Sequence, residues 1–315
     1  MIVTDVSWAG KRAEYRPSVA SAQARTAAAA WASHAPGLAW PDRRAQGNLG
    51  ARMEETDPQE LLALASEAAV AAGELLRERF EAGPERNVVS KTTPTDLVSD
   101  ADLASQRAIR ALIGSRRPDD GFLGEEDGAD VRGSSGLQWV VDPLDGTINF
   151  LFGIPHWCVS VAANDPRGTL VGVVHDPIAG ETFTAVRGER SELDGVAIDT
   201  AAGRGGTLAE ALVATGFAYD AGVRAAQGEV LARLIGSVRD IRRAGSAALD
   251  LAWTATRRCD AFYERGVKPW DIAAGVLLCQ SAGLQARELE PRGHLPSGIA
   301  VAPPSLLEPL LALVG

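Results

Sequence analysis

From Asp57 onward the apolar positions recur with a regular period. Leu61, Leu62, Ala65, Ala68, Ala69, Ala72, Leu75, Leu76 and Phe80 fall three and four residues apart, the spacing of one helix face. Asp57 precedes the stripe as a candidate cap, Pro58 suits a first turn, and Gly83-Pro84 ends it. A second helix is predicted from about Asp100 to Ile113. The pattern then shifts to short apolar runs. "LQWVVD", "HWCVSVAAN", "TLVGVVHDP" and "ETFTAVRG" read as strands, with a turn at Asp165-Pro166-Arg167-Gly168 joining the second and third. Beyond Gly206 the two periods alternate: strand "ALVATGFAYD", helix Val223 to Ile235, strand "VRDIRR", helix "GSAALDLAWTATR", strand "CDAFYER", helix "WDIAAGVLLCQSAG". Such alternation predicts a parallel or mixed sheet covered by helices. A boundary at "TAAGRGG", Thr200 to Gly206, divides this part into a lobe of residues 57–200 and a lobe of residues 201–315.

Residues 1–56 lack that order. They hold Trp8, Trp31 and Trp40, an alanine-rich "RTAAAAWASHA", and little apolar periodicity. Asp5 precedes the first basic residues and Arg25 interrupts the alanines, so a secretory leader is disfavoured. Met53 opens a run that reads like a natural protein start. The expectation is a poorly ordered or lineage-specific extension.

Composition narrows the class. The chain is 46% hydrophobic and 23% charged over 315 residues, the balance of a globular protein with a large core. A net charge of −10 argues against nucleic acid or an anionic membrane as partner, and no run approaches the ~18 apolar residues of a membrane span. Cys158, Cys259 and Cys279 are far apart, with no CxxC spacing. A zinc site or disulfide framework is therefore not expected, and reduced, packing cysteines fit a cytoplasmic protein.

The candidate chemistry is acidic. "WVVDPLDGTINF" plants Asp142 and Asp145 at the end of an apolar strand, where ligands often sit in such sheets. Three more acidic stations are "PTDLVSDAD" with Asp96, Asp100 and Asp102, "FLGEEDGAD" with Glu125, and "KPWDIAAG" with Asp271. Each has a plainer reading: Ser99 capping a helix, a solvated acidic turn, and Asp271 as a helix cap. Two carboxylates in one turn repel, and either a raised pKa or a cation relieves them. Oxygen donors without nearby histidine or cysteine favour Mg²⁺, which prefers completion by water and a substrate phosphate. Gly146 and Thr147 follow at once. A short helix starting there would point free N–H groups at an anion.

These stations, with "GSAALDL" as a fifth, resemble in order those of the inositol monophosphatase family. The resemblance covers about residues 58–285, and the D-P-x-D-G-T-x-N-F string with a later W-D-x-A-A-G is highly specific. It implies a mixed α/β, α+β fold, a layered α-β-α-β-α sandwich of the sugar-phosphatase type. It implies two or three Mg²⁺ ions, lithium sensitivity and a homodimer. Glu125, Asp142 and the Leu144 carbonyl would hold one metal; Asp142, Asp145 and Asp271 a second. Gly146 and Thr147 would bind phosphate, Glu125 and Thr147 would orient the attacking water, and Asp102 would partner Thr147. Lys91 matches a lysine near that region. Gly245, Ser246, Ala247 and Glu264 would meet the leaving alcohol. Ile148 resembles the branch acting on myo-inositol 1-phosphate or a similar polyol phosphate. Fructose 1,6-bisphosphate or histidinol phosphate is the alternative, and a non-catalytic regulatory binder a second. The complete set Glu125, Asp142, Asp145 and Asp271 weighs against the last. Two segments depart from the family pattern, "GERSELDGVAI" and "CQSAGLQAR".

Overall fold

The computed structural model describes residues 57–83, 88–90, 97–126, 130–198 and 206–315. The expected extension, Met53, Lys91 and most of the 200–206 boundary lie outside them.

Helix α1 (Pro58–Glu81) begins where Asp57 accepts a hydrogen bond from the Gln59 N–H at 2.9 Å. A small antiparallel ribbon follows, β1 (Val88–Ser90) with β2 (Leu97–Ser99), then α2 (Asp100–Arg116). The large sheet contains β3 (Gly121–Gly124), β4 (Asp130–Val131), β5 (Gln138–Asp145), β6 (Cys158–Asp165), β7 (Gly168–Asp176), β8 (Glu181–Val186), β9 (Glu192–Leu193) and β10 (Val196–Ala197). Its order is β10-β9-β8-β7-β6-β5-β3-β4, and α3 (Thr147–Leu151) lies between β5 and β6 in the chain. All its pairings are antiparallel except β3 with β5. The remaining elements are β11 (Leu212–Thr215), α4 (Ala221–Leu234), β12 (Asp240–Arg242), α5 (Ala247–Ala255), β13 (Ala261–Arg265), α6 (Pro269–Ser281), β14 (Gln285–Leu289), β15 (Gly298–Ala302) and α7 (Pro304–Val314). The second sheet runs β12-β11-β13-β15-β14, with β11 parallel to both its neighbours.

Three apolar cores stack these elements into alternating layers. Leu61, Leu76 and Ile109 of α1 and α2 meet Trp139, Val141 and Val161 on one face of the large sheet. Val140 and Phe183 on its other face meet Leu249, Leu251 and Leu278 of α5 and α6, which in turn cover Phe262 of the second sheet. Val213 and Ala300 on the far side of that sheet are covered by Val230, Leu234 and Leu310 of α4 and α7. The result is the expected α-β-α-β-α sandwich. Neighbouring residues on a strand point to opposite faces, and β5 is buried on both, so Trp139, Val140 and Val141 divide between two cores. That is why the run is continuously apolar rather than alternating. All three cysteines are free and buried.

Some boundaries differ from expectation. The strand read in "ALVATGFAYD" stops at Thr215, and Asp220 caps α4 through the Val223 N–H. In "GERSELDGVAI", Asp194 and Gly195 both take positive φ and turn β9 into β10. The helix α7 is absent from the sequence expectations because Pro309 sits inside "PSLLEPLLALV". A proline there removes one intrahelical bond, but Ser305, four residues earlier, is exposed and water can take its carbonyl. Leu306, Leu307, Leu310 and Val314 then carry the helix by packing.

Arg265 ties the second sheet together. It is 2% exposed, and its guanidinium donates to the carbonyls of Glu290, Pro296 and Val314, each at 2.9 Å. Hydrogen bonds from a charged group are each worth about 1.5–3 kcal/mol. Arg265→Ala is expected to lower unfolding stability by about 3 kcal/mol in urea titration, with Arg265→Lys recovering part of it. A loss below about 0.5 kcal/mol would show that these contacts carry no net stability.

Candidate active site

The acidic stations converge because of topology. β3 and β5 run parallel, with Gly124 level with Val141. The Glu125 N–H continues the ladder to the Val141 carbonyl at 3.1 Å. Glu125 and Asp142 therefore leave the sheet side by side. Gln106 of α2 fixes this strand end, accepting from the Glu126 N–H at 2.9 Å and donating to the Glu126 carbonyl at 2.5 Å. A side chain at Gly124 would collide with the Gln106 carboxamide, so the clamp needs glycine there.

At the end of β5 the chain turns through Pro143 and Leu144. The Asp142 carboxylate accepts from the Leu144 N–H at 3.0 Å, and Ser105 of α2 anchors the Pro143 carbonyl at 2.7 Å. Gly146 has φ +96°, and a Cβ there would crowd His156 and Trp157. Its conformation lets α3 start immediately, with no side chain capping the helix. The Thr147 hydroxyl lies 2.9 Å from Asp102 Oδ1 and 3.0 Å from the Leu144 carbonyl. Asp102 is fully buried, and its other oxygen accepts from the Ser99 N–H and hydroxyl. It is at once the cap partner of Ser99 and the anchor of Thr147.

The other two elements come from the second half of the chain. Asp145 Oδ2 accepts from the Ser246 hydroxyl and the Ala248 N–H, both at 2.7 Å, at the start of α5. Asp271 is the third residue of α6, and it accepts from the Lys268 N–H at 2.6 Å.

Glu125, Asp142, Leu144, Asp145, Gly146, Thr147, Gly245, Ala247, Glu264 and Asp271 all line one cavity of about 340 Å³. Two expected site residues that the structure describes do not. Asp102 stands behind Thr147. Ser246, expected at the leaving alcohol, is 1% exposed and turned onto Asp145. Lys91 lies outside the described residues. Ile148 is half-buried on α3 and is not a lining residue. Gln106, Ser105 and Asn149 were missed as positioning residues. Asn149 Nδ2 donates to the His156 carbonyl at 2.7 Å and the Ala244 carbonyl at 2.9 Å, joining the α3 segment to the turn before α5. A polar residue inside an apolar helix stripe was the available signal for Gln106.

The electrostatics are those of crowded acids. Burial, then Glu125, Asp145 and Asp271, push the Asp142 carboxyl well above its ordinary range. Burial, then Glu125 and Asp145, do the same to Asp271. Burial lifts Asp145 to about 6 against the opposing Ser246 and Ala248 hydrogen bonds. Burial, with Asp250 and Asp145 nearby, lifts Glu264 to about 8. A divalent cation fits this donor set: carboxylate and carbonyl oxygens only, with Asp142, Asp145 and Asp271 each aimed by a backbone N–H. Among the described residues no three His, Cys, Asp or Glu side chains close into a tight cage. Mg²⁺ suits an open set, since it usually keeps several waters and takes only one or two protein carboxylates.

The inositol monophosphatase family model matches residues 57–314. The chain belongs to that family. The Nus factor SuhB of Haemophilus influenzae is 39% identical over 249 residues, covering 78% of this chain and 91% of that protein. The inositol-1-monophosphatase SuhB of Mycobacterium tuberculosis is 38% identical, covering 82% and 94%. The crystal structure of the suhB protein of Bartonella henselae superposes with a TM-score of 0.74 at 32% identity, covering 81% and 98%.

The raised carboxyls set a pH dependence for this family member. Without a cation, folded Asp145 and Glu264 keep protons that the unfolded chain has released above its ordinary values of 3.8 and 4.5. Their contribution to stability is full below about pH 4 and is lost as pH rises through about 6 and then about 8. His156 and His175, lowered by burial, add nothing further above about pH 7. In chelator, the melting midpoint is expected to fall between pH 7 and pH 8.5, less steeply in Glu264→Gln. Added Mg²⁺ should raise it more at pH 8.5 than at pH 6. A chelated chain that gains stability over that range overturns this electrostatic picture.

Proposed function

We propose that the protein is a Mg²⁺-dependent phosphate monoesterase, acting on myo-inositol 1-phosphate or a similar polyol phosphate. One observation carries the reading: four carboxylates from three separated stretches of the chain line one cavity beside a helix start without a side-chain cap, and three of them accept a backbone N–H. Glu125, Asp142, the Leu144 carbonyl, Asp145 and Asp271 would hold the metal ions, with Asp142 shared between them. When bound, the ions would polarise the phosphoryl group and lower the pKa of a coordinated water.

The chain's own groups do the rest. The N–H groups of Gly146 and Thr147 would hold phosphate oxygens. If the Thr147 hydroxyl gives its single proton to Asp102, a lone pair is free to accept from the attacking water. Glu125, on the same cavity, would take that water's second hydrogen bond and its proton. Glu264 and the Gly245–Ala247 backbone would meet the leaving alcohol. Phosphate-monoester hydrolysis is among the slowest uncatalysed reactions, so electrostatic stabilisation must supply most of the acceleration.

A second reading has its own support: a relative carries the name Nus factor SuhB, which fits a binding role that needs no turnover. Fructose 1,6-bisphosphate or histidinol phosphate is the alternative ester. Among the described residues no helix is long and apolar enough to cross a membrane. The exposed Phe152 and Ile154 after α3 support a homodimer face.

Purified protein with Mg²⁺ is expected to release phosphate from inositol 1-phosphate, and chelator or lithium to suppress release. Asp142→Asn should lower kcat at least about 10²-fold with the fold intact. Retention of near-wild-type turnover by that variant would sink the ligand assignment. A wild-type chain without activity on any phosphomonoester would favour the binding role. Light scattering is expected to give a dimer mass at micromolar concentration, and a monomer would remove that claim.

A further inference from the structure

Strand β11 ends at Thr215, level with Tyr263 of β13, and the next four residues, Gly216 to Tyr219, form one wall of the cavity. No strand ladder holds this wall. Among the described residues Ala218 makes no backbone–backbone hydrogen bond. Packing holds it only in part, since Phe217 and Ala218 are half-buried and Tyr219 is exposed. Gly216 and Phe217 also border a small void of about 10 Å³, shared with Gln227, Val230, Tyr263 and Arg265. Atoms that line a void lose the attraction of missing neighbours. On its other side the wall passes close to Glu264, whose carboxylate a Cβ at Gly216 would strike.

The missing support comes from α4. Gln227, Val230 and Leu234 are the buried residues of that helix, three and four positions apart. Val230 and Leu234 anchor the helix in the outer core, where an apolar residue at 227 would also fit. Gln227 is instead a carboxamide, only 5% exposed. Its Oε1 accepts from the Ala218 N–H at 2.9 Å, and its Nε2 donates to the Arg265 carbonyl at 3.0 Å. An amide offers an acceptor and a donor together, so it bridges wall and strand, and burial without these bonds would be costly. Arg224, one turn earlier, donates through Nη1 to the Ala218 carbonyl at 3.0 Å and the Tyr219 carbonyl at 2.8 Å. Asp220 caps the same helix through the Val223 N–H. The start of α4 therefore closes back on the wall that leads into it.

We propose that Gln227, with Arg224, is a positioning residue that fixes the Gly216–Tyr219 wall, and that the fixed wall limits the size of the leaving group. This rests on the phosphatase reading above and concerns the shape of the site. A wall held in place before binding spares the substrate the cost of ordering it. Without the bracket, the wall is free to shift toward the void, and the cavity loses its set width.

Full chains of wild type, Gln227→Leu and Arg224→Met are compared in two measurements. In backbone amide hydrogen exchange, Ala218 is expected to exchange at least about 10-fold faster in Gln227→Leu, with α5 and α6 unchanged. Phosphate release with Mg²⁺ is then followed on inositol 1-phosphate, ethyl phosphate, whose alcohol is far smaller than the cavity, and the bulky 2-naphthyl phosphate. In Gln227→Leu, kcat/KM for inositol 1-phosphate should fall about 10-fold through KM, while that for ethyl phosphate stays within about twofold. Use of 2-naphthyl phosphate relative to inositol 1-phosphate should rise about 10-fold. Arg224→Met should move in the same directions by less, and it carries the test if melting shows that Gln227→Leu does not fold. Unchanged Ala218 exchange in the folded variants overturns the bracket, whatever the activity. Faster exchange with unchanged ratios among the esters, or with equal losses on all three, overturns the size limit and leaves the phosphatase reading standing. A wild-type chain that cleaves none of the three overturns that reading and the size limit with it, while exchange still decides the bracket.

Discussion

Mutual repulsion among buried carboxylates is the constraint on which the rest of this structure depends. Asp142 feels Glu125, Asp145 and Asp271 at once, and burial removes the water that would screen them. A loose chain would simply let the acids move apart. Here each is tied: Asp142 by the Leu144 N–H, Asp145 by Ser246 and Ala248, Asp271 by the Lys268 N–H. Such bonds favour the ionised form and fix its direction. The fold thus holds together charges that protons or a cation would relieve.

The sandwich supplies the ties from elements that would otherwise never meet. The parallel β3–β5 pair breaks the antiparallel rule of the large sheet, so that Glu125 and Asp142 emerge on the same edge. The helices α5 and α6 fill the space between the two sheets, and their first turns open at that edge. Asn149 then bonds across to the Ala244 carbonyl, so the α3 segment and the turn before α5 are braced against each other. Breaking any of these braces would relax the acids before it exposed the core.

Local chemistry was legible in the sequence, and contacts distant along the chain were not. "WVVDPLDGTINF" announced its acids, its turn and its short helix because all lie within one strand-turn-helix unit. Asp102 as partner of Thr147 came from the family resemblance, and the two do stand 2.9 Å apart. Ser246 was expected at the substrate, whereas it secures Asp145 from 101 residues away, a relation no local pattern encodes. Gln106 acts on the Glu126 backbone 20 residues further on, a contact no local pattern encodes. The helix α7 was hidden by Pro309, because the cost of a proline depends on whether the orphaned carbonyl faces water, and burial is not written in the local sequence. Lys91 and the first 56 residues lie outside the described residues.

The two ends of the cavity are built from different materials, and this bears on how such a site changes substrate. The end with Glu125, Asp142, Asp145 and Asp271 is made of strand ends and helix starts whose backbone bonds leave little freedom. The other end is made of the stretch from Gly216 to Tyr219, the exposed Arg243, and the side chains of Asp250 and Glu264. A substitution at the first end disturbs an electrostatic balance shared by four acids, so its effect spreads. A substitution among the residues of the second end changes the lining while the bonds that tie Asp142, Asp145 and Asp271 stay in place. Specificity can therefore drift while the reaction centre stays the same. Asp250 stands between the two ends, in the first turn of the helix whose start holds Asp145.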